Sequence, residues 1–107
     1  MDPLAPRGDA IYHITSLVEW EQARGLGTYQ ADSLLAEGFI HCCLAGQVEG
    51  VARRYFAGRS DLVVLGIDPG RLRWEVRWER GAAGELFPHL YGPLPVSAVI
   101  SVHSLST

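Results

Sequence analysis

The sequence predicts an α+β domain, and three observations carry that prediction. Helix signals, caps followed by apolar residues at helical spacing, cluster before residue 58. The second half instead holds a continuous apolar run, LVVLGI, and a stretch from Leu72 to Glu79 that alternates without a break. Early helices followed by antiparallel-looking strands mark α+β rather than a βαβ alternation.

The elements follow in order. Ala10–Ile14 is short, apolar and β-rich, so it reads as a strand. Ser16 and Glu19 stand at capping-box spacing, which starts a helix with Leu17, Trp20 and Ala23 on one face. Gly25 or Gly27 ends it. Asp32 caps a second short helix through Ser33–Glu37, stopped by Gly38. Phe39, Ile40, His41 and Cys42 read as a buried strand. Ala45–Ala57 reads as a third helix, with Val48, Val51, Ala52, Tyr55 and Phe56 inward. Gly58 closes it, although Gly50 inside it costs about 1 kcal/mol against alanine. Asp61–Asp68 is a buried strand, and Pro69-Gly70 turns the chain. Leu72–Glu79 is a strand with Leu72, Trp74, Val76 and Trp78 inward and Arg73, Glu75, Arg77 and Glu79 in water. Gly81–Glu85 is a loop, Phe87–Pro95 is irregular, and Val96–Leu105 closes the domain as a strand.

Composition narrows the function. The 107 residues carry a formal charge of −3, so bulk attraction to nucleic acid is not expected. No apolar run reaches the roughly 18 residues that a membrane-spanning helix needs. Residues 1–9 lack the apolar core of a secretion signal and are expected to form a flexible N-terminal arm before a single domain, 10–107. All nine basic side chains are arginine, which excludes Schiff-base and lysine-nucleophile chemistry. Cys42 and Cys43 are adjacent, and neighbours on a strand diverge, so they are a poor disulfide and suit a reducing, cytoplasmic compartment.

Three segments place a histidine among apolar or aromatic residues: Tyr12-His13, the run Phe39 to Cys43 around His41, and Phe87 to Gly92 around His89. Neutral histidine both donates and accepts, so burying it without partners is costly. Three separate, satisfied structural histidines are one reading, and a shared ligand site is the other. His41 is a poor base for Cys42, because the two side chains point apart. Three histidines suit zinc, but no HxH or HxxxH spacing brings them together, and no metal is expected.

Taken together, IYHIT, Trp20, the Gly27–Tyr29 pair, SLxxEGFIHC at 33–42, Gln47, DLVVLGID, VRWE and FPHLYGPLP resemble the domain of unknown function 952 family. The likeness spans about residues 10–105. Cys43 stands where that family usually has serine, so a hydroxyl is lost there. The resemblance implies an ADP-ribosyltransferase-like fold: split antiparallel sheets, two or three helices in the N-terminal half, and a cleft between the sheets. It implies NAD or an ADP-ribose-like nucleotide as ligand or substrate, with glycosyl or phosphoryl transfer as the reaction. His13, His41 and His89 are the implied catalytic residues. Tyr12, Tyr29, Ser33, Gln47 and Tyr91 are the implied ligand contacts. The carboxylate that glycosidic cleavage wants is not evident, since Glu79 falls on the wet strand face and Glu85 in a loop. A non-catalytic binding module and a three-histidine metal hydrolase are the alternatives. The chain is expected to act as a monomer or homodimer on a small molecule.

Overall fold

A computed structural model describes residues 10–106, so the arm expected at 1–9 lies outside the described residues. The fold is mixed α+β with antiparallel strand pairs. In chain order the elements are β1 (Ile11–Ser16), α1 (Leu17–Leu26), β2 (Thr28–Tyr29), α2 (Asp32–Glu37), β3 (Ile40–His41), α3 (Val48–Tyr55), β4 (Leu62–Ile67), β5 (Val76–Arg80), β6 (Leu86–Leu90), β7 (Leu94–Pro95) and β8 (Val99–Leu105). One sheet runs β1-β4-β8, a second runs β3-β6-β5, and β2 pairs with β7. A single bridge, Tyr12 to Cys43, ties the two larger sheets together.

Local chemistry explains most boundaries. The Ser16 hydroxyl accepts from the Glu19 amide and starts α1. Gly27 ends it in a left-handed conformation, φ 83°, which a side chain would strain. The Glu19 carboxylate does not complete the expected box; it accepts from the Thr15 hydroxyl at 2.7 Å. The cap of α2 is Ala31 rather than Asp32, which lies in the first turn, where its charge meets the positive end of the helix dipole favourably. Gly38 stops α2 as expected.

Several expectations needed correction. Leu17 is half exposed, and only Trp20 and Ala23 of that face are buried. The strand around His41 shrinks to two residues, because Cys43 leaves it to pair with Tyr12, and His41 is exposed. The third helix begins as a 3₁₀ turn, Ala45–Gln47, and Tyr55 points outward at 65% exposure. The alternating stretch forms a strand only at its end, and Trp74 and Trp78 stay about half exposed, because β5 is a sheet edge. The closing strand likewise starts later, after a 3₁₀ turn at Val96–Ala98.

The largest departure is β6, expected to be irregular and found as the central strand of its sheet. Pro88 tempts one to exclude a strand, since it has no amide to donate. Its carbonyl accepts from the Cys42 amide, on the side where β3 ends and the chain turns away, so little of the ladder is lost there. The β6 register then sorts the side chains. Val76, Leu90 and Ile40 form one row across three strands, and Arg77, His89 and His41 form the next row, on the opposite face.

Candidate functional site

A cleft of about 520 Å³ is lined from both larger sheets, from the start of α2, from α3 and from the β5–β6 hairpin. His13, His41 and His89 all line it, as do Tyr12, Tyr29 and Ser33 among the expected ligand contacts. Gln47 and Tyr91 are not among the lining residues. The Gln47 amide instead spans two backbone groups, accepting from the Leu44 amide and donating to the Leu86 carbonyl. It joins the start of α3 to β6. Tyr91 donates to Glu79 at 2.6 Å, and the Arg77 guanidinium lies over its ring. Ser33 lines the cleft but spends its hydroxyl on the Phe39 carbonyl.

The three histidines differ in what holds them. His13 is buried on β1 with both ring nitrogens engaged. Nδ1 donates to the His41 carbonyl, and Nε2 lies 2.8 Å from the Tyr29 hydroxyl. That hydroxyl lies 3.0 Å from Thr15 Oγ1. Burial pushes the His13 imidazolium down to about 4, against the pull of its backbone bond, and burial pushes the Tyr29 phenol up to about 12. Both stay neutral near pH 7 on those grounds.

His89 sits on β6 at the floor of the second sheet. Its Nδ1 donates to Glu79 Oε1 at 2.8 Å, a diagonal pair across β5 and β6. Phe39 stacks on the ring, with centroids 4.1 Å apart. Among the described residues, nothing bonds Nε2. This is the carboxylate–histidine arrangement that selects one tautomer and leaves the other nitrogen as an acceptor. The Tyr91 hydroxyl, then His89, hold the Glu79 carboxyl below the usual carboxylate range. His41 pairs with His89 across the strands, with ring centroids 5.2 Å apart, and bonds the half-exposed Glu37 through Nε2.

Sequence reasoning missed the acids. Alternation puts Glu79 on a solvated face, but that face continues across the sheet to Phe87 and His89. Alternation showed that Arg77 and Glu79 share a side; the strand pairing that makes it the histidine side was not visible. Glu85 lines the cleft from the hairpin loop, and its Oε1 is buried without a hydrogen-bond partner. Glu19 and Asp32 line it too. Cys42 and Cys43 are buried, and burial raises both thiols, Cys43 to about 12, so neither is a ready thiolate. Among the described residues, no three histidine, cysteine, aspartate or glutamate side chains are placed to share one metal ion. No helix among them is long and apolar enough to cross a membrane.

A family model described as "Protein of unknown function (DUF952)" matches residues 14–102. The X-ray structure of protein CC0527 from Caulobacter crescentus is 37% identical, with a TM-score of 0.83 over 91% of this chain and 86% of that one. A double mutant of CC0527 gives 36% and 0.82, over 91% and 86%. Its solution NMR structure gives 37% and 0.78, over 91% and 84%. No functionally curated protein matches.

Proposed function

The chain belongs to the DUF952 family, and from that premise we propose that the protein binds an NAD- or ADP-ribose-like nucleotide in the cleft and transfers or hydrolyses its ribosyl group. An ADP-ribosyltransferase-like fold is part of this proposal, supported by antiparallel sheets that part around a cleft. One observation carries it: His89, with one ring nitrogen held by Glu79, and Glu85, with a buried and partnerless carboxylate oxygen, line the same cleft.

Cleavage of a ribosyl C–N bond passes through an oxocarbenium-like state. A nearby carboxylate stabilises that positive charge, and Glu85 takes this role. Hydrogen bonds to the sugar hydroxyls strengthen as the bond breaks, and His89 Nε2 accepts one of them. Tyr55, Phe56 and Phe87 offer faces for a planar base. The charge of the lining decides between glycosyl and phosphoryl transfer. Glu19, Asp32 and Glu85 line the cleft against one arginine, Arg80, which already donates to the Gly84 carbonyl. That balance suits a cationic nicotinamide ring and a developing oxocarbenium ion better than a phosphoryl group.

Calorimetric titration with NAD and with ADP-ribose, alongside an assay for released nicotinamide, tests this. His89→Ala is expected to weaken binding about tenfold, the value of one lost hydrogen bond. Glu85→Gln is expected to bind normally and to lose turnover by about 100-fold or more. No binding by the wild type at millimolar ligand overturns the proposal. Binding without turnover converts it to the binding-module reading.

A further inference from the structure

The hydrogen bonds around His13 are one proton short. Four contacts run in a line: His41 carbonyl to His13 Nδ1, His13 Nε2 to Tyr29, Tyr29 to Thr15, and Thr15 to Glu19. The two ends accept only. The His41 carbonyl therefore takes the Nδ1 proton, and an ionised Glu19 takes the Thr15 proton. Tyr29 then has one proton for two neighbours, each of which presents a lone pair. With neutral His13 and ionised Glu19, three protons serve four contacts, and one contact sets two lone pairs face to face at 3 Å or less.

One added proton fills every contact, in either of two ways. It resides on His13 Nε2, with Tyr29 donating to Thr15 and Thr15 to Glu19. Or it resides on Glu19, with each hydroxyl turned the other way: Glu19 donates to Thr15, Thr15 to Tyr29, and Tyr29 to His13. Glu19 is exposed while His13 is buried, so the line connects water to the interior of the cleft.

We infer that His13, Tyr29, Thr15 and Glu19 bind one proton as a unit, and that this unit accepts the proton of the nucleophile that attacks the ribosyl carbon. The second half rests on the ribosyl-transfer reading; the first does not. The nucleophile's O–H bond breaks as an O–H bond forms on Tyr29. The former Tyr29 proton passes to His13 Nε2, and the new one points to Thr15. His13 ends as the imidazolium, with all four contacts filled. Return to the starting state sends one proton out through Thr15 and Glu19. Thr15 and Glu19 are thus positioning residues, acting through Tyr29 and His13.

Other groups bear on this titration. His41 on β3 opposes a charge on His13, and Glu19 on α1 favours it. Asp32 on α2 and Cys42 beyond β3 act on Tyr29. His89 and Glu85 line the same cleft from the second sheet. A through-space effect of Glu19 has to be separated from transfer through the hydroxyls, and Thr15 does this because its loss leaves the Glu19 charge in place.

The test is a pH titration of the ligand-free protein by NMR, reading the His13 ring nitrogens and the Glu19 carboxyl carbon. In the wild type the two are expected to share one midpoint, the mark of coupled sites. Thr15→Val is expected to split them and move His13 down by about one pH unit or more. Thr15→Ser should restore the shared curve. Tyr29→Phe, which removes the hub, should give the same split should Thr15→Val disturb the amide spectrum. The inference is overturned if these variants leave the His13 curve in place, or if wild-type His13 and Glu19 titrate with separate midpoints. A protein that binds no nucleotide fails the ribosyl reading without touching this result. Where turnover is measured, Thr15→Val should shift the acidic limb of the kcat/KM profile to lower pH. An unmoved limb overturns the catalytic half.

Discussion

The two walls of the cleft hold their histidines differently. On the β1 wall, His13 is buried with both nitrogens engaged, and its carboxylate, Glu19, is reached only through Tyr29 and Thr15. On the β6 wall, His89 touches its carboxylate directly and keeps Nε2 unbonded among the described residues. Direct contact selects a tautomer and leaves a fixed acceptor. Contact through hydroxyls does something else, because each hydroxyl can reverse its direction, so the same atoms serve two proton positions. One wall is built to hold an atom in place and the other to move a proton.

Stability against pH breaks that comparison most sharply. Unfolded His13 titrates near 6.5, and burial pushes it down to about 4 when folded. The unfolded chain therefore binds more protons between those values. Stability is complete above the unfolded value and falls as pH drops from 6.5 toward 4, by about 3 kcal/mol for an imidazole that stays neutral. A relay that admits a proton raises the folded value and shrinks this loss. Urea unfolding at pH 7 and pH 4.5 should thus show a larger loss for Thr15→Val than for the wild type; equal losses place no proton in the relay. Glu79 shifts in the same direction for the opposite reason, because Tyr91 and His89 favour its charged form: its stabilisation is present above the ordinary carboxylate value and is lost as pH falls through the lowered one.

Next in size is Tyr29→Phe, which leaves buried His13 Nε2 and Thr15 Oγ1 without the hydroxyl between them. The cost is about 1–3 kcal/mol in the same unfolding assay. Adding a methyl to Gly66 should cost a similar amount, about 1–3 kcal/mol. A Cβ there would stand 2.1 Å from Ser101 Oγ on β8 and 3.3 Å from the Tyr12 ring on β1, so Ser101 would have to move and the Tyr12 ring to give slightly. On the β6 wall, Tyr91→Phe removes the main cause of the low Glu79 value, so carboxyl NMR should show Glu79 titrating higher, with the His89 tautomer retained. The smallest effect belongs to Glu37→Gln. Its bond to His41 joins two half-exposed side chains, and its loss should stay within about 1 kcal/mol.

Some of this was legible along the chain and some was not. Ser16 and Gly27 delimit α1 by local hydrogen bonding and backbone freedom, and LVVLGI is buried throughout. The histidine segments also announced themselves, because an imidazole amid apolar residues needs partners. What those partners are was hidden by sequence distance. Glu79 and His89 stand ten residues apart, and His13 and Tyr29 sixteen, joined by pairings that periodicity does not report. Glu19 stands at the N3 position its spacing predicts, its amide donating to Ser16, but its carboxylate accepts from Thr15 instead of closing the box.

The sequence by itself determined the α+β class, the Ser16 start of α1, the glycine stops of α1 and α2, the buried β4 strand and the set of histidines needing partners, because each depends on neighbours a few residues away. Tertiary structure alone decided that Pro88 sits in a central strand, that Glu79 on the charged strand face lies against His89, and that Tyr29 joins His13 to Thr15 and Glu19. Those depend on register between distant strands, and a one-residue slip would have turned His89 into the core and Leu90 into the cleft.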